Sequence, residues 1–508
     1  MRVRSSQRAK NKMVLDKMTQ YVKHARFSGR MVMVGFGSIG QAVLPALLRH
    51  LDIHPEQIRI ISATDDGIDI AREFHVAFKA LPLTADNYRT VLEPLLGEGG
   101  FLLNLSVDVS SKALVELCRE RGALYLDTCI EPWAGGYMDT LRSASQRSNY
   151  ALREEILALR NTSPAGKPAP TALVTCGANP GLASLFVKQA LLKMAADNGI
   201  NVSGIAVNGP TRYAGHADWA GLAQRLGIKV IHIAERDTQV GARRKKHGEF
   251  INTWSTAGFI GEGLQPSELG WGTHERHWPA DAARHGFGCD AAIYLNRPGA
   301  GTRVRSWTPL EGPYHGFLIT HSESISIADH LTVRNNDNAN DNVNGDVLYR
   351  PTVHYAYHPC DDAVLSIHEM AGRNWRPQVT QRIIRDDIVS GTDELGVLLM
   401  GNAKGVYWYG SRLSIEQARE LAPYNNATSL QVVAGVLAGI VWALRNPRAD
   451  VVEPDDLDPN EILEIAKPYL GEVVGVYGDW SPLQGRGRLF SEDIDRDDPW
   501  QFKNFRVM

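Results

Sequence analysis

The sequence has few cysteines, and none is placed for a metal site or a disulfide framework. There are five among 508 residues, an odd number, and they are widely scattered. No two have the close spacing of a zinc knuckle or a redox CxxC motif, so we expect ordinary buried thiols in a reducing compartment. The cysteines are Cys118, Cys129, Cys176, Cys289 and Cys360.

Long hydrophobic runs are also lacking. The longest apolar stretch, residues 432–444, contains Gly435 and Gly439 and is too short to span a bilayer. The N-terminus has no apolar core of the kind that a signal peptide needs. The sequence therefore excludes secreted and membrane-spanning classes, and we expect a cytoplasmic protein with no membrane partner.

The chain carries little net charge, −3 in all, which excludes a general binder of polyanions. Residues 1–30 are the exception, because they hold nine lysines and arginines against one acid, Asp16. This pattern predicts a mobile or helical basic extension, either a solvated tail or the product of an upstream start codon. A nucleic-acid-binding arm is the less favoured alternative. The remaining chain is net acidic, which mildly favours cationic ligands.

Short apolar runs alternate with helical patterns from residue 31 onward. Runs at 31–35, 58–61, 101–105, 123–127 and 171–175 predict buried parallel strands of a doubly wound α/β sheet. We expect a Rossmann-type domain over 31–178 and an α+β domain over 179–424. Residues 425–508 predict a helix, capped by Thr428 or Ser429, and a tail that returns to the first domain. The Asn/Asp-rich tract 335–344 has no calcium-loop spacing and predicts a surface loop, so no metal site is expected.

One glycine motif follows the first strand and opens a helix inside a complete βαβ unit. In this Gly-x-Gly-x-x-Gly sequence, Gly35 permits the tight turn, Gly37 lets a pyrophosphate approach the backbone, and Gly40 allows close packing of helix and strand. The free N–H groups at Ser38 and Ile39 would bind the phosphates. The motif predicts a dinucleotide site.

Polar residues at later strand ends extend this cleft, because the carboxyl ends of parallel strands face the ligand. The second strand ends at Ser62, with Asp65 and Asp66 somewhat later, and no arginine stands there to meet a 2′-phosphate, so NAD is favoured over NADP. As isolated residues, those at the later strand ends are equally typical of turns. They are Asn104, Leu105, Ser106, Asp127, Thr128, Ala178, Asn179 and Pro180.

Many short segments in one order then identify a family. From about Met31 to the C-terminus the chain resembles the bacterial homospermidine synthases, NAD-containing relatives of saccharopine reductase. It departs from them in its basic extension, in the 335–344 insertion and in Ser62, where relatives tend to carry an acid. The segments include VGFGSIG (34–40), NLSVD (104–108), EPW (131–133), CGANPG (176–181), HIAERDTQ (232–239), NTWS (252–255), GLQPSELGWGT (263–273), FLITHSESISIAD (317–329), HYAYHPC (354–360) and DELGVLL (393–399).

The resemblance implies a redox-neutral use of NAD. The family condenses two putrescine molecules into homospermidine and releases ammonia, and spermidine also serves as an aminobutyl donor. Bound NAD takes a hydride from the carbon that bears one amine, the second amine replaces ammonia in the resulting imine, and the same NADH reduces the product imine. The resemblance also implies a homodimer formed through the second domain.

The resemblance assigns roles to seven residues. Trp254 matches a central tryptophan whose indole face lies near a cationic nitrogen, and His321 matches a histidine placed as general base. Asn179 matches a residue that contacts nicotinamide and substrate. By residue type alone, a core tryptophan, a structural histidine and solvated carboxylates are the commoner interpretations. The family carboxylates that would hold substrate amines are matched by Glu235, Asp393, Glu131 and, on the entrance side, Glu262.

Two other functions remain open at this point. A net NAD-dependent amine or amino-acid dehydrogenase of the saccharopine type would need a cationic clamp for a carboxylate, for which Arg236, Arg303 or Arg305 are available. A non-catalytic NAD-binding regulator with a nucleic-acid arm is the remaining alternative.

Overall fold

The computed structural model describes residues 21–162, 168–202, 218–335 and 346–507. Six strands from the first half of the chain and one strand from near the C-terminus form a seven-stranded sheet in which every strand pair is parallel. Its strands are short and buried on both faces at the centre, as their continuous apolar runs predict. In order across the sheet they are Val451–Val452, Ala172–Leu173, Leu124–Asp127, Phe101–Asn104, Met31–Val34, Ile58–Ser62 and Ala77–Ala80.

Helices connect these strands and cover the sheet, which confirms the doubly wound α/β class. The strand order reverses beside Met31–Val34, so the first glycine loop opens at a switch point where such folds bind ligands. The strand predicted at 171–175 is reduced to Ala172–Leu173. The connecting helices are Ser38–His50, Ile68–Glu73, Tyr88–Leu92, Ser111–Arg121 and Asn149–Leu157.

A second, mixed sheet of eleven strands follows. Strand Val230–Asp237 lies at its centre, parallel to Thr352–His358 on one side and antiparallel to Thr392–Met400 on the other. One face of this central strand, with Ile231 and Ile233, belongs to the main hydrophobic core. The other strands are Pro266–Gly270, Ala282–Arg284, Ala292–Pro298, Arg303–Thr308, Gly312–Phe317, Val406–Ser414, Glu472–Gly478 and Arg506–Val507.

Further helices and short strand pairs complete the fold. Helix Leu182–Asp197 packs on the two strands Thr392–Met400 and Val406–Ser414. The other helices are Trp219–Arg225, Thr256–Leu264, Ser322–His330, Asp361–Gly372, Ile415–Leu421, Pro459–Ala466 and Phe502–Phe505. The short pairs are Ala25–Arg26 with Leu51–Asp52, Val240–Gly241 with Ile388–Ser390, Glu249–Asn252 with Thr380–Ile383, and Val333–Arg334 with Val347–Tyr349.

Helix Ala427–Arg445 joins the two halves, because it contacts helix Ser38–His50 and strands of both sheets. Its N-cap is Asn426, whose side chain accepts from Ser429 N–H, so the predicted cap at Thr428 or Ser429 is wrong. A Cβ on Gly435 would lie 2.0 Å from the carbonyl oxygen of Gly177, so this glycine allows the helix to approach the 176–181 turn. The helix is longer than the sequence suggested and apolar enough to cross a membrane, but 89% of its most apolar window is buried inside the protein.

The chain after residue 425 contributes to both sheets. Strand Val451–Val452 extends the first, whereas Glu472–Gly478 and Arg506–Val507 belong to the second. All five cysteines are free thiols. The first twenty residues of the basic extension and nearly all of the 335–344 tract lie outside the described residues, so the predictions made for them stay predictions.

Candidate active site

The glycine loop has the geometry that its motif predicts. Gly35 adopts a φ of +88°, and a Cβ there would lie 2.6 Å from the backbone of Leu105. A Cβ on Gly40 would lie 2.8 Å from the carbonyl oxygen of Gly35, so this glycine allows the helix to pack closely. A Cβ on Gly37 would meet nothing within 4 Å, and no side chain caps the helix N-terminus after it. The loop therefore offers free N–H groups to an anion in open space, which fits a pyrophosphate.

Seven of the thirteen predicted dinucleotide residues line one cavity. Gly35, Gly37, Ser38 and Gly40 do not line it, and neither do Asn104 and Asp127. The Asn104 amide donates to the Tyr125 hydroxyl, which donates to Asp127 at 2.7 Å. Burial raises the pKa of Asp127 to about 7. These two residues lie beneath the strand ends and support them. The lining residues are Ile39, Leu105, Ser106, Thr128, Ala178, Asn179 and Pro180.

An arginine does stand near the end of the second strand, although it comes from the second half of the chain. Arg385 donates to the Gln41 side chain at 2.6 Å and lies 3.9 Å from the Asp66 carboxylate. The prediction of no arginine there, read from neighbouring sequence alone, is wrong. Because Asp66 already faces this guanidinium, the arrangement does not offer a free cation to a 2′-phosphate.

The same cavity collects six of the seven residues that the resemblance assigns to the reaction. Glu131 comes from the loop after strand Leu124–Asp127, whereas Glu235 lies on the central strand of the second sheet. Glu262 comes from helix Thr256–Leu264, and His321 caps the start of helix Ser322–His330. No lysine or arginine is among the described lining residues. The six are Asn179, Glu131, Glu235, Trp254, Glu262 and His321.

Asp393 is the exception. It is fully buried one layer behind the cavity, paired across the sheet with Asp237. Its Oδ2 accepts from the Thr428 hydroxyl at 2.5 Å, and it is Thr428 that lines the cavity. Burial, with Glu235 and Asp237 nearby, raises the pKa of Asp393 well above its usual value. Asp393 is therefore connected to the cavity lining through Thr428 and does not itself line the cavity.

Burial makes ionisation of two carboxylates in the cavity energetically unfavourable. Burial raises the pKa of Glu235 to about 7 and that of Glu131 to about 8, and Glu262 adds repulsion to both. Hydrogen bonds to Glu235 from the Asn179 amide, at 3.0 Å, and the Tyr355 hydroxyl oppose the rise. A positively charged guest would relieve the repulsion between these groups, since opposite charge favours the ionised form.

Trp254 lies between a strand and a helix, in a fixed position. Its Nε1–H donates to the Tyr357 hydroxyl at 3.0 Å, and its ring packs on Phe259 with centroids 5.3 Å apart. The next residue, Ser255, caps helix Thr256–Leu264. The indole is half-buried and lines the cavity beside Glu235 and Glu262. A desolvated cation over such a face gains about 0.5–2 kcal/mol.

His321 lines the same cavity, next to Glu262. Its Nε2 is 3.6 Å from a Glu262 oxygen, and its Nδ1 is buried without a hydrogen bond to any described residue. The imidazole packs on the Tyr355 ring with centroids 4.7 Å apart. This position suits a group that exchanges a proton with a ligand in the cavity.

Sequence reasoning missed the two tyrosines that hold these groups. Tyr355 lines the cavity and donates to Glu235, and Tyr357 accepts from Trp254. They alternate with His354 and His358 on strand Thr352–His358, so both point to the cavity side. The period of two in the segment HYAYHPC was the available signal.

The fold and the site together define a two-domain enzyme of the dinucleotide-dependent class, with an acidic cavity beside the glycine loop. Residues 31–169 match the saccharopine dehydrogenase NADP binding domain, and residues 177–479 match the saccharopine dehydrogenase C-terminal domain. The homospermidine synthase of Blastochloris viridis is 53% identical over 96% of this chain and all of that protein. That of Mesorhizobium japonicum is 48% identical over 97% of this chain and all of that protein.

A solved structure agrees with these relatives. The homospermidine synthase of Legionella pneumophila, in complex with NAD, has a TM-score of 0.85 and 50% identity. The match covers 95% of this chain and 98% of that one. The chain belongs to the homospermidine synthase family, within the wider saccharopine dehydrogenase group.

Proposed function

We propose that this protein, an NAD-dependent transferase, condenses two putrescine molecules to homospermidine and releases ammonia. Spermidine is the alternative aminobutyl donor, and 1,3-diaminopropane is then the product released. The observation that carries the proposal is the single cavity that joins dinucleotide loops to three carboxylates and one indole. The relatives named above, at about half identity over nearly the full chain, support the same reaction.

The chain has the groups to hold NAD, which supplies a hydride acceptor for the first amine and a hydride donor for the final imine. The open space at Gly37 and the uncapped helix start at Ser38 would receive the pyrophosphate. Thr128 and the turn with Asn179 line the end of the cleft that faces the carboxylates, and would hold the nicotinamide.

The side chains divide the remaining work. A diamine near neutral pH is a dication, so one ammonium must be held while the other loses a proton. Glu131 and Glu262 would hold the distant nitrogen, and Glu235 the reacting one. His321 takes the proton that the reacting amine loses, because an imidazole is a base near neutral pH. Trp254 offers its face to the positively charged iminium without adding a nucleophile that would trap it.

The charge of the cavity argues against net dehydrogenation of an amino acid. Arg236 lies on the face of its strand opposite Glu235, in a different cleft together with Arg303. Neither can therefore clamp a carboxylate beside Trp254. The acids in the cavity select amines.

Incubation with putrescine and a catalytic amount of NAD tests the proposal, with mass analysis of the polyamine and an ammonia assay. We expect homospermidine and ammonia in equal amounts, with no steady accumulation of NADH absorbance. Accumulating NADH, with an aldehyde or cyclic imine as product, would instead establish a net dehydrogenase.

A cytoplasmic homodimer, joined through the second domain, completes the proposal. The five free cysteines support a reducing compartment. Strand Glu472–Gly478 ends the second sheet, and its outer edge pairs with no strand in the described chain. Half-buried Val473, Val474 and Val476 make this edge suitable for a second copy. Light scattering should give twice the chain mass of 56.0 kDa, and a mass equal to one chain would reject the dimer.

A further inference from the structure

The carboxylate of Glu235 is held by one of its two oxygens. Oε2 accepts from the Asn179 amide at 3.0 Å and from the Tyr355 hydroxyl at 2.5 Å. Oε1 accepts no hydrogen bond from any residue that the structure describes. Two donors on one oxygen fix the carboxylate plane and leave the second oxygen available to the cavity.

We propose that Tyr355 is a positioning residue for amine binding: with Asn179 it occupies Oε2 of Glu235, so that Oε1 stays open to the substrate ammonium. This inference rests on the proposed function, which assigns the reacting amine to Glu235. Tyr355 reaches the amine only through this carboxylate. Its substitution should therefore change how Glu235 binds and titrates.

The position of the phenol is fixed by its neighbours. Tyr355 is 4% exposed and lies on strand Thr352–His358, next to the central strand that carries Glu235. Its ring stacks on Tyr357, with centroids 5.1 Å apart and planes 10° apart, and also contacts His321, with centroids 4.7 Å apart. Burial and the nearby carboxylate raise the pKa of the Tyr355 hydroxyl well above its usual value, so it remains a proton donor.

The surroundings of Glu235 are otherwise acidic. Asp237 faces it from its own strand, Glu262 from helix Thr256–Leu264 and Asp393 from the neighbouring strand, while Glu323 approaches from helix Ser322–His330. His321 packs on the Tyr355 ring. The two hydrogen bonds to Oε2 oppose this repulsion, because they favour the ionised carboxylate. Without the phenol, the pKa of Glu235 should rise above its value of about 7.

The test is the pH profile of kcat/KM for putrescine with the NAD-loaded enzyme. In Tyr355→Phe we expect the acidic limb to move to higher pH, with roughly tenfold lower kcat/KM at neutral pH and most activity regained in alkali. Most of the fall in kcat/KM should come from a higher KM rather than from a lower kcat. A limb and a KM equal to those of the wild type would overturn the proposal.

Tyr357→Phe is the matched control on the same strand. It removes a hydroxyl that meets Trp254 instead of Glu235, so activity should fall without movement of the acidic limb. If both variants move the limb equally, the effect is structural and the proposal fails.

Two further variants keep the test decisive if Tyr355→Phe folds poorly. Asn179→Ala removes the other donor to Oε2 and should move the limb in the same direction. Added to Glu235→Gln, Tyr355→Phe should cost less than twofold, because its partner charge is already gone. Failure of the proposed function would show separately, as a wild-type enzyme that forms no homospermidine.

Discussion

The two walls of the cavity offer different groups to a ligand. The first-sheet wall offers mainly backbone groups and small residues, with the N–H groups and open space of the glycine loop, and Glu131 is the acidic side chain that this half adds to the amine-binding groups. The second-sheet wall offers long side chains: Glu235, Glu262, Trp254 and His321, held by two tyrosines. The dinucleotide wall depends on local chain geometry, whereas the amine wall depends on charge gathered from distant segments. The predictions below separate these two contributions.

The amine wall should respond most strongly to loss of a charge. In Glu235→Gln we expect putrescine KM to rise about 30-fold or more, because removal of one partner of a buried charge pair costs about 2–5 kcal/mol. NAD affinity should stay within twofold. Steady-state kinetics and NAD titration measure both.

Glu98→Gln serves as the control for that substitution. Glu98 is exposed in an ion pair with Arg448, and such a pair contributes about 0.2–1 kcal/mol at most. If Glu235→Gln and the wild type had the same KM, Glu235 would not contribute to amine binding.

Trp254→Ala should have the second-largest effect on activity, after Glu235→Gln. We expect a loss of about 10- to 30-fold in kcat/KM, corresponding to about 2 kcal/mol of interaction between the indole face and the cation, with the fold retained. Trp254→Phe should keep part of the activity, because a weaker π face remains. Trp278→Phe, at an exposed tryptophan far from the cavity lining, should leave kinetics unchanged. Normal turnover in Trp254→Ala would contradict the role of the indole.

The dinucleotide wall should be sensitive to a single methyl group. In Gly37→Ala the new Cβ meets no protein atom, so the Tm of the NAD-free protein should be unchanged while NAD affinity falls roughly tenfold. In Gly40→Ala the Cβ would press on the Gly35 carbonyl, so Tm should fall as well. Calorimetry and NAD titration distinguish them. Equal Tm loss in both variants would show that Gly37 is structural.

The smallest effect expected is a pH dependence of ligand stabilisation. Glu235 and Glu131 have folded pKa values of about 7 and about 8, above the unfolded value near 4.3. Each therefore contributes stability that is lost as pH rises through that interval, because ionisation is costly in the empty cavity. Putrescine restores it by pairing with the ionised groups. The increase in Tm that putrescine causes should become larger from about pH 6 to about pH 8.5. An increase that becomes smaller over this range would contradict the assignment of Glu235 and Glu131 to amine binding.

The sequence predicted the dinucleotide wall in more detail than the amine wall. The strand, the glycine motif and the helix are contiguous, so their arrangement follows from local physics. It erred where contacts are distant: Arg385 reaches Asp66 from the other half of the chain, and Asn426 takes the cap from Thr428 through a side-chain bond.

The amine wall could be predicted only through the family resemblance. Its groups are separated by up to 190 residues between Glu131 and His321, and no spacing brings them together. The resemblance assigned seven residues to the reaction. Six of them line the cavity, whereas Asp393 lies one layer behind it. The resemblance did not identify Tyr355 and Tyr357, because their role follows from strand register and hydrogen bonds that exist only in the folded sheet.

Isotope tracing tests most directly whether the same bound dinucleotide accepts a hydride from the amine and returns it to the product imine. Putrescine deuterated at both amine-bearing carbons is converted in the presence of unlabelled NAD and NADH, both in large excess over the substrate, and the mass of the polyamine is measured by mass spectrometry. The account predicts that homospermidine retains every deuterium of its two parent molecules. Loss of one deuterium per product, with label recovered in free NADH, would contradict it.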